Sequence, residues 1–322
     1  MSTVPIGRTK PHSMDHTISR RQWCKHIATL TIGGLIAPEL YAWRGTENPV
    51  IGIQTYSLRD RSLTDAIAAM VTLGIRDCEL WSGHIEPEEY RWQRGLSASK
   101  LRENQQQLHK WRKNLRMDTI RSIRQQFDRA GIRILAYNAN FKDNASDFEI
   151  DQGFRIAQTL GTNTLNSSAT VSIMGRLDRY AQQYRIRVGM HNHANVDKPN
   201  EFATPDSFSR GMAGKSSYIG INLDTGHFTA ANFDPLAYLK ENHRHIFSIH
   251  LKDRKKNQGI RTPFGEGDTP LAAMLRLINK NGWSIPAFIE YEYEGMDTMV
   301  ELRKCLDFCH RVLGTNGTNE TK

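Results

Sequence analysis

Histidines and carboxylates of this chain gather in four short motifs, each at the end of an apolar run. The motifs are His191-Asn192-His193, Asp224-Thr225-Gly226-His227, His250-Leu251-Lys252-Asp253 and Glu290-Tyr291-Glu292. The runs they close, 186–191, 218–223, 246–251 and 287–291, have the length and composition of buried strands. Period-two alternation sets His191 and His193 on one face of their strand, and Glu290 and Glu292 on one face of theirs. A single histidine at a strand end most often serves as a structural hydrogen-bonder. Four successive strands ending in His, Asp, His and Glu point instead to one divalent metal. A mixed nitrogen and oxygen set suits Mn, Fe, Co, Zn or Mg better than Ca, which takes oxygen alone.

Such a site needs strands that end side by side. From residue 49 onward, eight apolar runs alternate with helix-like stretches. The remaining runs are 50–57, 75–80, 132–137 and 162–165. Helices are expected over 63–73, 120–130, 152–160, 175–184, 235–241, 270–280 and 298–313. Gly74, Gly131, Gly161 and Gly282 stand just past helix ends, where the left-handed closing position favours glycine. Eight βα units in about 280 residues predict an α/β fold, a single (β/α)8 TIM barrel over 49–313. In that fold chemistry sits at the C-terminal strand ends. A doubly wound sheet would carry a Gly-rich turn after its first strand, and Ile53-Gln54-Thr55-Tyr56-Ser57-Leu58-Arg59 has none. The second and third runs start 57 residues apart, so an extra helical insert is expected over 83–118. Residues 98–133 hold ten Lys/Arg against three Asp/Glu. That segment reads either as a solvated helical face or as a basic lid over the barrel mouth.

The chain has 322 residues, 39% of them hydrophobic and 24% charged, which excludes a disordered or low-complexity protein. Four Cys demand no disulfide framework, and Cys305 and Cys309 read as core fill. The N-terminus reads as an address. Ser19-Arg20-Arg21-Gln22-Trp23-Cys24-Lys25 precedes an apolar run, 26–37, without an acidic residue. A basic segment before a short apolar one predicts an export signal over 1–42, too short for a stable membrane span. It resembles a twin-arginine signal, with Trp23 and Cys24 where Phe and Leu are usual. A periplasmic or exported bacterial location follows, with the export machinery as a partner. Leu40 is large for a cleavage site at Ala42, so an uncleaved anchor is the alternative. The formal charge of +9 falls to +6 without residues 1–42 and is concentrated in the insert. The tail, 314–322, is expected to be disordered.

Asp-Thr-Gly-His at 224–227, His-Leu-Lys-Asp at 250–253 and Phe264-Gly265-Glu266-Gly267-Asp268 carry a family resemblance. Over about 49–312 the chain resembles the xylose-isomerase-like barrels, the sugar (phosphate) isomerase/epimerase superfamily that also contains type IV apurinic endonucleases. The resemblance implies one divalent metal held by Glu, Asp, His and Glu on strands five to eight. Asp224, His250 and Glu290 match the last three. His191 stands where the family has its first Glu, which removes one negative charge and one candidate base. His191-Asn192-His193 resembles the His-Asn-His branch of the superfamily.

The implied reaction is proton abstraction beside the carbonyl of an unphosphorylated sugar or keto-sugar, by a metal-dependent isomerase or epimerase. Glu290 or Glu292 is the expected base, with His193 and His227 handling hydroxyls or returning the proton. His227 also reads as a structural residue of its turn. Lys252 either neutralises an oxyanion or pairs with Asp253. Glu79 and His84 either touch substrate or stay a buried strand residue and a loop histidine. A lyase or dehydratase expelling a β-leaving group is the first rival, since only one of the family's two glutamates remains. A binding barrel without activity is the second. The endonuclease cousins use three metals with ligands on early strands. Here those strands end in Gln54/Thr55/Tyr56, Asn138/Asn140 and Asn166/Ser167, so no nucleic-acid partner is expected. A small sugar is the expected partner, and a homo-oligomer stays open.

Overall fold

The structure is a computed structural model and describes residues 49–91, 95–295 and 297–315. The expected export segment, 1–42, lies outside the described residues, as does all but the start of the expected disordered tail. The barrel strands begin with β1 (Ile51–Gln54), β2 (Asp77–Trp81), β3 (Arg133–Asn138) and β4 (Thr164–Ser167). They continue with β5 (Arg187–His191), β6 (Ile219–Asp224) and β7 (Ile246–Leu251). A hairpin of two-residue strands, β8 (Asp253–Arg254) and β9 (Arg261–Thr262), precedes the last barrel strand, β10 (Ala287–Ile289). The eight long-range pairings are parallel and close in the order β1-β10-β7-β6-β5-β4-β3-β2. The expected (β/α)8 barrel is therefore the observed fold.

Register brings the chemistry to one level. Asp224 on β6 is the partner of His250 on β7, and His250 is the partner of Phe288 on β10. His191 on β5 is the partner of Asn222 on β6. Every residue of β6 is buried, which explains its near-continuous apolar sequence.

Helices wrap the strands. They are α1 (Leu63–Leu73), α2 (Ala98–Asn114), α3 (Met117–Arg129), α4 (Asp147–Thr159) and α5 (Met174–Tyr184). Then come α6 (Pro205–Met212), α7 (Thr225–Ala230), α8 (Pro235–Asn242), α9 (Leu271–Asn281) and α10 (Thr298–Leu313). Local chemistry sets their ends. Ser62, Asp234 and Asp297 cap α1, α8 and α10, and Ser146 with Glu149 forms a capping box on α4. Gly74, Gly131, Gly161 and Gly282 all have positive φ, as helix closure requires. Phe127, Phe154, Phe208, Leu239 and Met274 are buried from the helix side and form the outer core. Cys78, Cys305 and Cys309 are buried free thiols.

Two helices stand between β2 and β3. α2 buries only Asn104, whose side-chain amide donates to the Glu89 carbonyl at 3.2 Å. It is a solvated helix, and none of its residues lines the barrel mouth. The short segment before it does reach the mouth, through Glu88 and Arg91.

Candidate metal centre

His191 and Asp224 close β5 and β6, His250 lies near the end of β7, and Glu290 directly follows β10. All four are buried, and one donor atom from each lies within 4.8 Å of the others. Asp224 is fixed by its own helix start. Its Oδ1 accepts from the His227 backbone N–H at 2.7 Å, capping α7. Asn192 clamps the Asp224 backbone from the neighbouring strand, accepting at 2.9 Å and donating at 3.1 Å. Asp224 Oδ2 is buried and makes no hydrogen bond, although Lys252 Nζ lies 2.9 Å away off hydrogen-bond geometry.

Each histidine has one nitrogen tied back. His191 Nδ1 lies 2.8 Å from Asn222 Oδ1, and Asn222 in turn donates to Ser248 Oγ at 2.8 Å. That leaves His191 Nε2 for an ion. His250 Nε2 lies 3.0 Å from Glu79 Oε2, and its Nδ1 lies 2.8 Å from Glu290 Oε2. Glu79 thus takes one nitrogen and turns the other toward the ligand set. Glu79 is itself held by Gln54 Nε2 at 2.8 Å and Asn166 Nδ2 at 2.6 Å. Asn166 fits because Gly189 faces it; a Cβ there would stand 2.1 Å from Asn166 Oδ1. A carboxylate behind a ligating histidine is a recurrent support of metal sites. An orphaned carboxylate oxygen, a free imidazole nitrogen and two carboxylates in one buried cluster fit a divalent ion.

Lys252 settles the local charge. Its Nζ lies 2.6 Å from Glu292 Oε2, 2.9 Å from Asp224 Oδ2 and 3.1 Å from Glu290 Oε2. Of the two sequence readings of Lys252, the pairing with Asp253 is not formed. Asp253 instead accepts from the backbone N–H groups of Gly265, Gly267 and Thr269. Burial works against a charged Lys252, but the three carboxylates outweigh it and raise its pKa. Burial would raise the Glu290 pKa, yet Lys252 and His250 hold it well below the usual range. Burial would likewise lower His250, but Glu79 and Glu290 push it up to about 10.

Three histidines are held neutral by burial: His191, His193 and His227. His227 Nδ1 accepts from Arg254 Nη1 at 2.8 Å, and its Nε2 lies 3.2 Å from Lys252 Nζ. The His193 ring packs against His191 and His227, with centroids 5.1 and 5.3 Å away. Above these groups opens a cleft of about 670 Å³, within the usual range for a small-molecule site. His193, His227, Lys252, Glu290 and Glu292 line it. Glu79 and His84, two residues expected to approach substrate, do not. Glu79 lies beneath the ligands, and His84 is buried against Thr55 Oγ1 at 3.0 Å and the Leu58 carbonyl at 3.3 Å. The cleft also takes in Tyr56, Arg59, Trp81, Arg91 and Arg261, which the sequence motifs did not single out. Tyr56 and Arg59 follow the first strand, and their place just past a strand end was the one available signal.

The chain belongs to the xylose isomerase-like TIM barrel family, whose model matches residues 93–312. Among solved structures it is similar to the IolI protein with a bound zinc atom, at 16% identity and TM-score 0.60. That match covers 83% of this chain and 98% of the other. It is also similar to a D-tagatose 3-epimerase-like protein, at 14% identity and TM-score 0.58, covering 82% and 98%. A third is the probable 3-DHS dehydratase AsbF from Bacillus anthracis, at 14% identity and TM-score 0.55, covering 80% and 98%. At these identities the likeness is one of fold. No curated protein matches the chain.

Proposed function

We propose that this chain is a divalent-metal-dependent enzyme of the isomerase/epimerase type, acting next to the carbonyl of an unphosphorylated sugar or keto-sugar. The observation that carries the reading is the convergence of His191, Asp224, His250 and Glu290 beneath an open cleft. The zinc in the IolI structure and the likeness to a D-tagatose 3-epimerase-like protein support it.

When bound, the metal supplies Lewis-acid polarisation of a carbonyl oxygen and stabilises enediolate charge as it develops. The chain's own groups divide the remaining work. Glu292 Oε2 is held by Lys252 and by Arg261 Nε at 3.1 Å, while its Oε1 carries no hydrogen bond among the described residues. Burial would raise its pKa, but Lys252 outweighs it and keeps the carboxylate ionised. Glu292 is the base this arrangement favours, because Glu290 is committed to the ligand set. His193, neutral and on the far side of β6 and β7 from Glu292, can exchange a proton across the substrate. Lys252 offers its charge to an oxyanion.

The test is metal analysis of protein purified without chelator, followed by deuterium uptake from D₂O into free and keto-sugars. Stoichiometric metal and chelator-sensitive exchange support the reading. Metal-loaded protein that exchanges no sugar would leave a binding barrel. The unphosphorylated substrate rests on the twin-arginine-like segment, which is also the ground for proposing a periplasmic location; turnover of phosphorylated sugars alone would sink that part. Replacing Arg20 and Arg21 by Lys should retain the protein in the cytoplasm on fractionation.

A lyase reading has one observation in its favour. His191 replaces a carboxylate, so proton removal and return are not chemically matched. In that case Glu292 takes the proton and returns it to the departing β-oxygen, so that the substituent leaves as the alcohol. An unsaturated product and a released alcohol would mark it.

A further inference from the structure

We propose that the substrate carries a carboxylate, received by Arg59 on the β1 side of the cleft, beside the strand whose end carries Glu290. This rests on the reading that the cleft is the sugar site. The cleft has four Lys and Arg side chains: Arg59, Arg91, Lys252 and Arg261. Lys252 is neutralised by Asp224, Glu290 and Glu292, and Arg261 by Glu292. Arg59 has no carboxylate partner among the described residues. Its Nη1 is anchored on two backbone carbonyls, Tyr291 at 2.9 Å and Tyr56 at 3.2 Å, and its guanidinium lies 4.7 Å over the Tyr56 ring. It is therefore a placed cation, and its Nε and Nη2 carry no hydrogen bond among the described residues.

That unfilled edge has a known use within this molecule. Arg133 grips Asp77 through Nε and Nη2 at 2.7 and 2.9 Å, one oxygen each, while Arg112 turns the same pair onto the single oxygen Glu86 Oε1 at 2.9 and 2.6 Å. Two parallel N–H groups match the two oxygens of a planar carboxylate. The wall beside Arg59 continues the same chemistry. Tyr56 meets Trp81 edge to face at 4.9 Å, and the Arg91 guanidinium lies 5.4 Å from the Trp81 ring. Arg91 Nε is buried without a hydrogen-bond partner. Arg59, Tyr56, Trp81 and Arg91 thus form one row on the β1–β2 side, two edge-to-face rings with a cation at each end. The metal ligands stand at the ends of β5, β6, β7 and β10. A sugar acid spanning the cleft would place its carbonyl end at the ligands, its ring along the aromatic pair and its carboxylate at Arg59.

The experiment is calorimetric titration of the metal-loaded full chain with aldoses and ketoses, their matching sugar acids and hexose phosphates. At least one sugar acid is expected to bind roughly 10-fold or more tighter than its neutral partner, and the preference should shrink with added salt. Arg59→Met should abolish the preference of acid over neutral sugar; Arg59→Lys, keeping charge without the fork, should retain only part of it. Should Arg59→Met fail to fold, because Arg59 also anchors Tyr291, Arg91→Gln is the second variant, expected to weaken acid binding alone. The proposal is overturned if no acid binds tighter than its neutral partner, if phosphates bind tighter than acids, or if folded Arg59→Met keeps the preference. Deuterium exchange separates the two readings. Acids that bind tightly without exchange refute the proposed chemistry and leave this subsite standing; exchange into neutral sugars without acid preference does the reverse.

Discussion

Glu79 decides which nitrogen of His250 can meet a metal. It is fully buried, bonded to Gln54, Asn166 and His250, and so oriented from three strands at once. Glu79→Gln keeps the shape and removes the charge behind His250. Metal affinity should fall about 10- to 100-fold, read by chelator competition, with the fold retained by circular dichroism. Asp224→Asn should abolish both bound metal and turnover; full metal content in that variant would refute the ligand set. The four ligand motifs were legible because each closes an apolar run, and alternation fixes which neighbours share a face. The role of Glu79 was not. Its partners lie 25, 87 and 171 residues away, and only the closed barrel brings them together. The carboxylates around Lys252 were hidden for the same reason: Asp253, a neighbour in sequence, was easier to see than three carboxylates from other strand ends.

At the level of elements, the segment after β7 depends on one side chain. Asp253 collects three backbone N–H groups from residues 265–269, and a Cβ on Gly267 would stand 1.9 Å from its Oδ1. Asp253→Ala leaves those donors without their acceptor and should cost about 3 kcal/mol, measured by urea unfolding. The β8–β9 hairpin pairs Asp253 with Thr262, so the Arg261 contact to Glu292 should loosen and turnover fall as well. Element length governed what sequence could show. α1 and α10 were read to the residue, since capping side chains and closing glycines mark both ends. α6, α7 and the two-residue strands are too short to carry a period, and they were not anticipated. Helices α3 and α4 begin earlier than their apolar periodicity suggested, because polar first turns at Asp118 and Asp147 still favour the helix start.

For the whole molecule, metal and fold are thermodynamically linked. The ligands come from four different strands of one closed barrel, so an ion bound there stabilises the native state alone. At a free concentration a hundred times the Kd, the gain is about 2.7 kcal/mol. For a barrel of this size that corresponds to a rise in Tm of roughly 5–10 °C. Chelator should remove it and re-addition restore it, as followed by differential scanning calorimetry. A Tm indifferent to both would argue against a native-state site. The described residues contain no helix long and apolar enough to cross a membrane.

Beneath the cleft, the ligands are steadied by Gln54, Glu79, Asn166, Asn222 and Ser248, every one a strand residue. The row of cations and rings on the β1–β2 side of the cleft is built differently. Arg59 and Arg91 stand on connections between strands and helices. Descent with modification can therefore rewrite those connections without disturbing the ion. One inherited centre can be re-addressed to a new ligand by changing a few positions at the rim, while the strands keep the four-residue cluster in place.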